Sequence, residues 1–153
     1  HEEFVGESFG RVNRQEAKLC VQTLRDYYMK IGRARALDEQ IDVGVISPYR
    51  AQVQYLRQLV RSDEWLRPLR RLITINTVDG FQGQERDIII ISLVRANDDG
   101  QIGFLADLRR MNVAITRARM KLIIIGNADT LARHKFYKEL HQYVMGLAEQ
   151  PEI

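Results

Sequence analysis

The sequence has few residues of the types that build disulfides and metal sites. Its 153 residues include one cysteine, Cys20, and three histidines, so it cannot form an internal disulfide and offers no spacing typical of zinc ligands. These shortages predict a cytoplasmic, intracellular domain with no metal site of its own. The longest apolar runs are strand-length, far below the roughly 20 residues that cross a bilayer, which predicts no membrane partner.

Two further absences concern nucleotide chemistry. None of the ten glycines is followed by lysine, so the sequence lacks the Gly-x-x-x-x-Gly-Lys-Ser/Thr loop that cradles phosphates. No predicted strand ends in the paired Asp-Glu that holds Mg²⁺ and activates a water. The chain can therefore touch a nucleotide from one side only. Because the sequence does not begin with Met, we expect residues 1–153 to form a single domain of a longer protein.

Positive charge is present in small excess and is carried mainly by arginine. Lys plus Arg number 23 against 20 Asp plus Glu, a formal net charge of +3, and 18 of those 23 residues are arginine. The small excess predicts that any site for a polyanion is local. The planar guanidinium group suits phosphate oxygens, although a general preference for arginine explains the same bias equally well.

Apolar periodicity predicts helices that alternate with strands. Asn13 followed by Glu16 is a capping-box pattern, and residues 14–31 then carry apolar side chains at helical spacing, whereas 32–42 predict an exposed connection. Continuous β-branched runs predict strands buried on both faces, hence an α/β domain of three layers with a mostly parallel sheet. The predicted strands are 43–46, 72–75, 88–91 and 122–125; a loop is expected at 95–103, and further helices from Ser47-Pro48, over 108–119 and over 136–147.

Three short segments carry residue types suited to a nucleotide or a nucleic acid. Segment 47–52 places an aromatic and an arginine at a helix start, where free N–H groups favour anions; a partly buried Tyr and a surface Arg explain it as well. Segment 77–87 has two glycines three apart among Gln, Asp and Glu, which suits a phosphate contact or a tight turn. Segment 109–119 has four arginines and no acid, which predicts a basic helix, either solvated or directed at one anion.

Together and in this order, the segments resemble the second RecA-like domain of superfamily 1 helicases, in the branch that contains the nonsense-mediated-decay helicase and the replication nuclease-helicases. The likeness spans nearly the whole chain and is far more specific than any one of its parts. It implies a RecA-like, P-loop NTPase-like fold without its own phosphate-binding loop. The motifs that carry it are 44–52 (GVISPYRAQ), 78–87 (VDGFQGQERD), 92–97 (SLVRAN), 103–105 (GFL), 109–119 (RRMNVAITRAR) and 126–127 (GN).

The resemblance implies an ATP-dependent helicase with two motor domains and ATP in the cleft between them. Arg50 and Arg117 are expected to reach the γ-phosphate as arginine fingers. Tyr49 is expected to stack on adenine, Glu85 to bond the ribose, and Gly83 to offer a backbone amide near the γ-phosphate. The N-terminal RecA-like domain of the same protein is expected to hold Mg²⁺, so this chain alone should not hydrolyse ATP.

The resemblance also implies single-stranded nucleic acid, DNA or RNA, as a partner. Its contacts are expected at Thr77, Asp79, Arg95 and Asn97, chiefly through sugar and phosphate. One alternative is a degenerate helicase-like domain that docks nucleic acid or protein without ATP turnover. Another is a free-standing α/β binding or signalling module, which would carry an acidic pocket or a phosphate loop after its first strand, where this chain has Ser47-Pro48-Tyr49-Arg50.

Overall fold

The computed structural model describes residues 3–4, 11–81, 83–94 and 108–126. Within these ranges, every helix is too short or too polar to span a bilayer. The helices are α1 (Arg14–Ile31), α2 (Arg33–Asp38), α3 (Arg50–Ser62) and α4 (Leu108–Ile115), with 3₁₀ helices at Arg67–Leu72 and Asp79–Phe81. The strands are β1 (Glu3–Phe4), β2 (Arg11–Val12), β3 (Val43–Ile46), β4 (Ile73–Asn76), β5 (Arg86–Ser92) and β6 (Ala118–Ile125).

Four of these strands form one parallel sheet in the order β4-β3-β5-β6, while β1 and β2 form a separate antiparallel pair. In the register of the large sheet, Ile46 lies opposite Asn76 on one side and opposite Ile91 on the other. A parallel sheet needs crossover connections that cover its faces, which agrees with the continuous apolar runs of β3 and β5. The predicted α/β class with a mostly parallel sheet is confirmed.

Alternate side chains of the sheet enter two separate cores. Ile88 and Ile90 pack on one face with α1, α2 and α3, and Ile89 and Ile91 pack on the other face with residues of α4. All four isoleucines are almost fully buried, and burial of such a side chain contributes roughly 1.5–3 kcal/mol. The described elements therefore form the predicted three layers, helices on both faces of one sheet.

Gly44 allows the 3₁₀ helix Asp79–Phe81 to lie directly on the sheet. A Cβ atom built at Gly44 would come within 2.7 Å of the Phe81 ring and 2.8 Å of the Ile89 side chain. Since a ring buried between the sheet and its own helix has little room to shift, a larger residue at position 44 would displace this connection. The connection carries the chain from the end of β4 back to the beginning of β5.

The predicted helix 14–31 is confirmed with the same bounds, and the Asn13 side chain accepts a hydrogen bond from the Glu16 backbone N–H. Two neighbouring predictions need correction. The 32–42 connection contains a short helix, α2, which forms because Ala36 is buried against the core. The helix after β3 begins at Arg50 with Tyr49 as its N-cap, so Pro48 lies outside it.

The prediction of one helix over 108–119 is wrong in its last four residues, 116–119. Helix α4 ends at Ile115, and β6 begins at Ala118. Residues 118–119 are strand because Ala118 pairs with Arg86 at the beginning of β5. Arg110 and Arg117 are therefore not two turns apart on one helix, and Arg117 lies in the turn between α4 and β6. The predicted loop 95–103 and final helix 136–147 fall outside the described residues.

Candidate nucleotide and nucleic-acid site

The structure divides the described candidate residues between the two ends of the sheet. Parallel strands present all their carboxyl ends at one edge, here called the carboxyl edge, and their amino ends at the opposite, amino edge. Tyr49 and Arg50 follow β3 at the carboxyl edge, and Thr77 and Asp79 follow β4 beside them, since β3 and β4 are neighbours. Gly83, Glu85 and Arg117 precede β5 or β6 at the amino edge.

At the carboxyl edge, Tyr49 and Arg50 differ in their surroundings. Only 3% of Tyr49 is exposed, whereas Arg50 is exposed at the first residue of α3. The Tyr49 carbonyl accepts the first helical hydrogen bond from the Val53 N–H, at 3.1 Å. Among the described residues, no side chain caps this first turn, and the N-terminus of a helix together with the Arg50 charge suits an anion.

The turn after β4 is fixed by the Asn76 side chain, a residue that sequence reasoning missed. Asn76 Oδ1 accepts a hydrogen bond from the Thr77 N–H at 2.8 Å, and Thr77 Oγ1 accepts one from the Gly80 N–H at 3.4 Å. A Cβ at Gly80 would come within 2.2 Å of the Asn76 side chain. This contact requires glycine at position 80 and leaves the Asp79 side chain exposed at the edge.

At the amino edge, the chain turns at Gly83, which has a positive φ of 76° that favours glycine. Gly83 and Glu85 are exposed. The Arg86 N–H donates a 3.0 Å hydrogen bond to the Arg117 carbonyl, which ties this turn to the one between α4 and β6. Gly83, Glu85 and Arg117 thus form one group, called the amino-edge group.

Arg117 is half-buried and is held by neutral acceptors. Its Nε donates to the Val113 carbonyl, and its Nη2 donates to Thr116 Oγ1, both at 3.2 Å. Among the described residues it has no ion pair with a carboxylate. Two bonds to uncharged oxygens orient the guanidinium group while leaving its charge uncompensated, an arrangement suited to an incoming anion.

Arg119, two residues further on, is fully engaged with carboxylates. Its Nε donates to Asp87 at 3.1 Å, and its Nη2 donates to Asp42 at 3.2 Å. The hydrogen bond to Asp87 raises the pKa of Arg119, and the charges of Asp42, Asp87 and Glu85 raise it further. The Asp42 and Asp87 side chains also accept hydrogen bonds from each other's backbone N–H groups. Sequence reasoning missed this Asp42–Asp87–Arg119 cluster.

The candidate residues at the carboxyl edge are well separated along the strands from the amino-edge group. Arg86, which bonds the Arg117 carbonyl, lies five residues before Ile91, the partner of Ile46. At about 3.3 Å per residue the two levels are roughly 16 Å apart, and α3 and α4 pack on opposite faces of the sheet. The structure therefore does not bring Arg50 and Arg117 together. Arg95 and Asn97 lie outside the described residues.

No group of three or more His, Cys, Asp or Glu side chains in the described ranges is arranged to hold a metal ion. At the amino edge, the carboxylates that lie closest together, Asp42 and Asp87, are already bonded to Arg119. The N–H and guanidinium groups at this edge suit phosphate oxygens.

Known proteins resemble this chain over most of its length. A family model described as "AAA domain" matches residues 1–129. Helicase SEN1 of Saccharomyces cerevisiae is 41% identical over 137 residues, 84% of this chain and 6% of that protein. The chain belongs to the superfamily 1 helicases. Its place in the branch of the nonsense-mediated-decay helicase is shown by the Regulator of nonsense transcripts 1 homolog of Drosophila melanogaster, 42% identical over 140 residues, 91% of this chain and 11% of that protein.

A third relative is also named as a helicase. The DNA polymerase alpha-associated DNA helicase A of Saccharomyces cerevisiae is 47% identical over 103 residues, which is 66% of this chain and 14% of that protein. This helicase chain thus covers less than a sixth of the length of each of these three relatives. The parallel α/β sheet agrees with the RecA-like fold that the family resemblance predicts.

Proposed function

We propose that the chain is the second motor domain of an ATP-dependent nucleic-acid helicase or translocase. The observation that carries the proposal is the contrast at the amino edge between Arg117, oriented by neutral oxygens, and Arg119, paired with two carboxylates. A motif that kept its arginines only for stability would pair both. An uncompensated, oriented guanidinium group is what stabilisation of a phosphoryl-transfer transition state requires.

In this proposal the amino-edge group faces the nucleotide. Arg117 acts as the arginine finger on the γ-phosphate, Glu85 accepts a hydrogen bond from the ribose, and the Gly83 N–H donates to a phosphate oxygen. ATP would supply the phosphoryl group, and Mg²⁺ would be held by the N-terminal motor domain, as the family resemblance implies. An arginine finger is worth about 10³ to 10⁵ in rate.

The carboxyl edge is proposed to carry the single-strand track. Thr77 and Asp79 sit beside the start of α3, and Arg95 and Asn97 belong to the same proposed track. Contacts to sugar and phosphate suit a motor that moves along a strand without reading its sequence. Because nucleotide and strand meet opposite ends of one rigid sheet, closing of the nucleotide cleft can move the strand-binding end.

The roles of Tyr49 and Arg50 remain a prediction, and the geometry favours a different one. The resemblance assigns them to adenine and to the γ-phosphate, yet they lie with Thr77 at the carboxyl edge, roughly 16 Å along the strands from Arg117. We therefore propose that Arg117 is the γ-phosphate finger of this chain and that Arg50 contacts the strand. Arg50→Ala in the full-length protein is then expected to weaken single-strand binding and to keep near-normal hydrolysis at saturating strand. Loss of hydrolysis with unchanged strand affinity would restore the nucleotide role.

The deciding experiment for the motor role is Arg117→Ala in the full-length protein. We expect ATP hydrolysis to be abolished while single-strand affinity, measured by fluorescence anisotropy, is largely kept. Arg67→Ala, an exposed arginine on a 3₁₀ helix, is the matched control and should leave both unchanged. A loss of strand binding in proportion to the loss of hydrolysis would contradict the arginine-finger role of Arg117. Normal hydrolysis would favour the degenerate docking domain. The chain alone is expected to show no turnover.

A further inference from the structure

A cluster of buried polar side chains joins three elements at the carboxyl edge. Asn13 caps α1, Glu16 lies in its first turn, Gln52 lies in the first turn of α3, and Ser92 ends β5. All four are buried, with between 0 and 7% of each residue exposed. Buried polar groups are costly unless each finds a partner, so their concentration at one point calls for a reason beyond core packing.

Gln52 connects the start of α3 to the other two elements. Its Oε1 accepts a hydrogen bond from the Asn13 N–H at 3.0 Å, and its Nε2 donates to the Asn13 carbonyl and to Ser92 Oγ, both at 3.1 Å. The Ser92 hydroxyl donates in turn to the Glu16 carboxylate. The capping-box pattern predicts that Glu16 bonds the Asn13 N–H, but Gln52 occupies that donor and Glu16 turns toward β5.

The target of the cluster is Val94, the last described residue before Arg95. Val94 is fully buried and has a positive φ of 71°, a left-handed conformation that a β-branched residue rarely adopts. Its N–H donates to Glu16 Oε2 at 2.8 Å, and its carbonyl accepts from Asn13 Nδ2 at 3.1 Å. Both backbone groups of the strained residue are thus held by side chains from the N-cap and the first turn of α1.

The burial of the Glu16 carboxyl group supports a specific role for this residue. Burial raises the pKa of this carboxyl group from its ordinary value of 4.5 to about 7, although hydrogen bonds from Ser92 and Val94 lower it. A neutral acceptor in its place would avoid the cost of burying a carboxyl group. The position nevertheless carries a carboxyl group whose Oε2 receives both donors from the end of β5.

We propose that Asn13, Glu16, Gln52 and Ser92 are positioning residues that hold Val94 in its left-handed conformation and couple the start of α3 to the chain leaving β5. The left-handed φ of Val94 sets the direction of the backbone just after the end of β5. Gln52 lies two residues after Arg50, so a ligand that shifts the start of α3 also shifts the hydrogen bonds that hold Val94. In its functional consequence the inference rests on the proposed motor role, since both ends of this connection belong to the proposed strand track.

The first test uses Gln52→Leu in the full-length protein, with the exposed Gln54→Leu on the same helix as matched control. Hydrogen exchange measured by mass spectrometry on the peptide containing Ser92–Val94 should become at least tenfold faster in Gln52→Leu and stay unchanged in the control. The ratio of strand-stimulated to basal ATP hydrolysis should fall at least fivefold, with basal hydrolysis kept. Unchanged exchange at Val94 overturns the inference.

The second test uses Glu16→Gln, which keeps size and acceptor, and Glu16→Ala, which removes both, with exposed Glu64→Gln as control. Glu16→Gln should keep most of the stimulation ratio that Glu16→Ala loses, because an amide oxygen can still accept from Ser92 and Val94. Faster exchange with an unchanged ratio overturns the coupling while the motor role stands. If the strand does not stimulate hydrolysis by the wild-type protein, the motor role and the functional coupling are both overturned. Hydrogen exchange then tests only whether the four side chains hold Val94 in its conformation.

Discussion

Arg117 and Arg119 lie two residues apart in one motif and have opposite surroundings. Arg119, on β6, forms ion pairs with Asp42 and Asp87. The side chain of Arg117, in the turn before β6, donates only to Val113 and Thr116 among the described residues. The position of β6 explains the difference, because its register beside β5 brings Arg119 next to Asp87. The same residue type thus pairs with carboxylates at one position and donates to uncharged oxygens at the other.

The contrast between Arg117 and Arg119 is tested most strongly by replacing each with lysine, which keeps the positive charge but changes the shape of the cation. Arg117→Lys removes the planar fork that can bond two phosphate oxygens, so we expect hydrolysis in the full-length protein to fall about 10²-fold or more. Arg119→Lys retains a cation beside Asp87 and should stay within about threefold of wild type. Steady-state kcat for both variants measures the difference. Equal losses would mean that both arginines serve one structural role.

The sequence was sufficient to predict the first helix and the core of each strand of the parallel sheet, but not β1, β2 or the beginning of β6. The runs 43–46 and 88–91 are strand because continuous β-branched residues suit a sheet buried on both faces, and they lie within β3 and β5. Helix 108–119 was predicted too long because Leu108, Met111, Ile115 and Ala118 recur at helical spacing up to the end of the segment. Only the pairing of Ala118 with Arg86, which the local sequence does not reveal, makes residues 118–119 a strand.

For the candidate site, residue type was predictable and surroundings were not. The motif around Arg117 predicts a basic segment. Asp87 and Asp42 are 32 and 77 positions away from Arg119 in the sequence, so no local pattern shows which arginine they neutralise. The grouping of Arg50 with Arg117 at one phosphate stays a prediction, and the two residues lie at opposite ends of the sheet. Which end of a parallel sheet a loop occupies depends on the strand that it follows or precedes, and segment 77–87 runs from one end to the other.

A second test of the comparison is the pH dependence of stability, because carboxyl groups at the two edges have different surroundings. Burial raises the pKa of Glu16 from 4.5 to about 7, whereas Asp87 is ion-paired with Arg119. Between pH 4.5 and about pH 7, the Glu16 carboxyl group keeps its proton in the folded protein, whereas in the unfolded chain it has lost that proton. Stability therefore falls as pH rises from about 4.5 to about 7, by up to about 3 kcal/mol.

Glu16→Gln should flatten this dependence, measured as the free energy of urea unfolding at pH 5 and pH 7.5. Glu64→Gln, at an exposed position, should leave it as in wild type. A slope that persists in Glu16→Gln would show that another group binds the proton. Stability that rises with pH over this interval would show that the hydrogen bonds from Ser92 and Val94 outweigh burial.

The smallest expected effect tests whether the Arg119 cluster is a stabilising element at all. The Arg119 side chain is 45% exposed, and ion pairs at such sites contribute little unless they form a network. Here Asp42 and Asp87 also bond each other's backbone N–H groups, so Asp87→Asn and Arg119→Ala should each lower Tm by a few degrees and the double variant by less than their sum. Thermal unfolding of the three variants measures this coupling, with Arg67→Ala as the control. Strict additivity would show that Arg119 does not act through Asp87, and the contrast with Arg117 would then depend on orientation rather than on charge compensation.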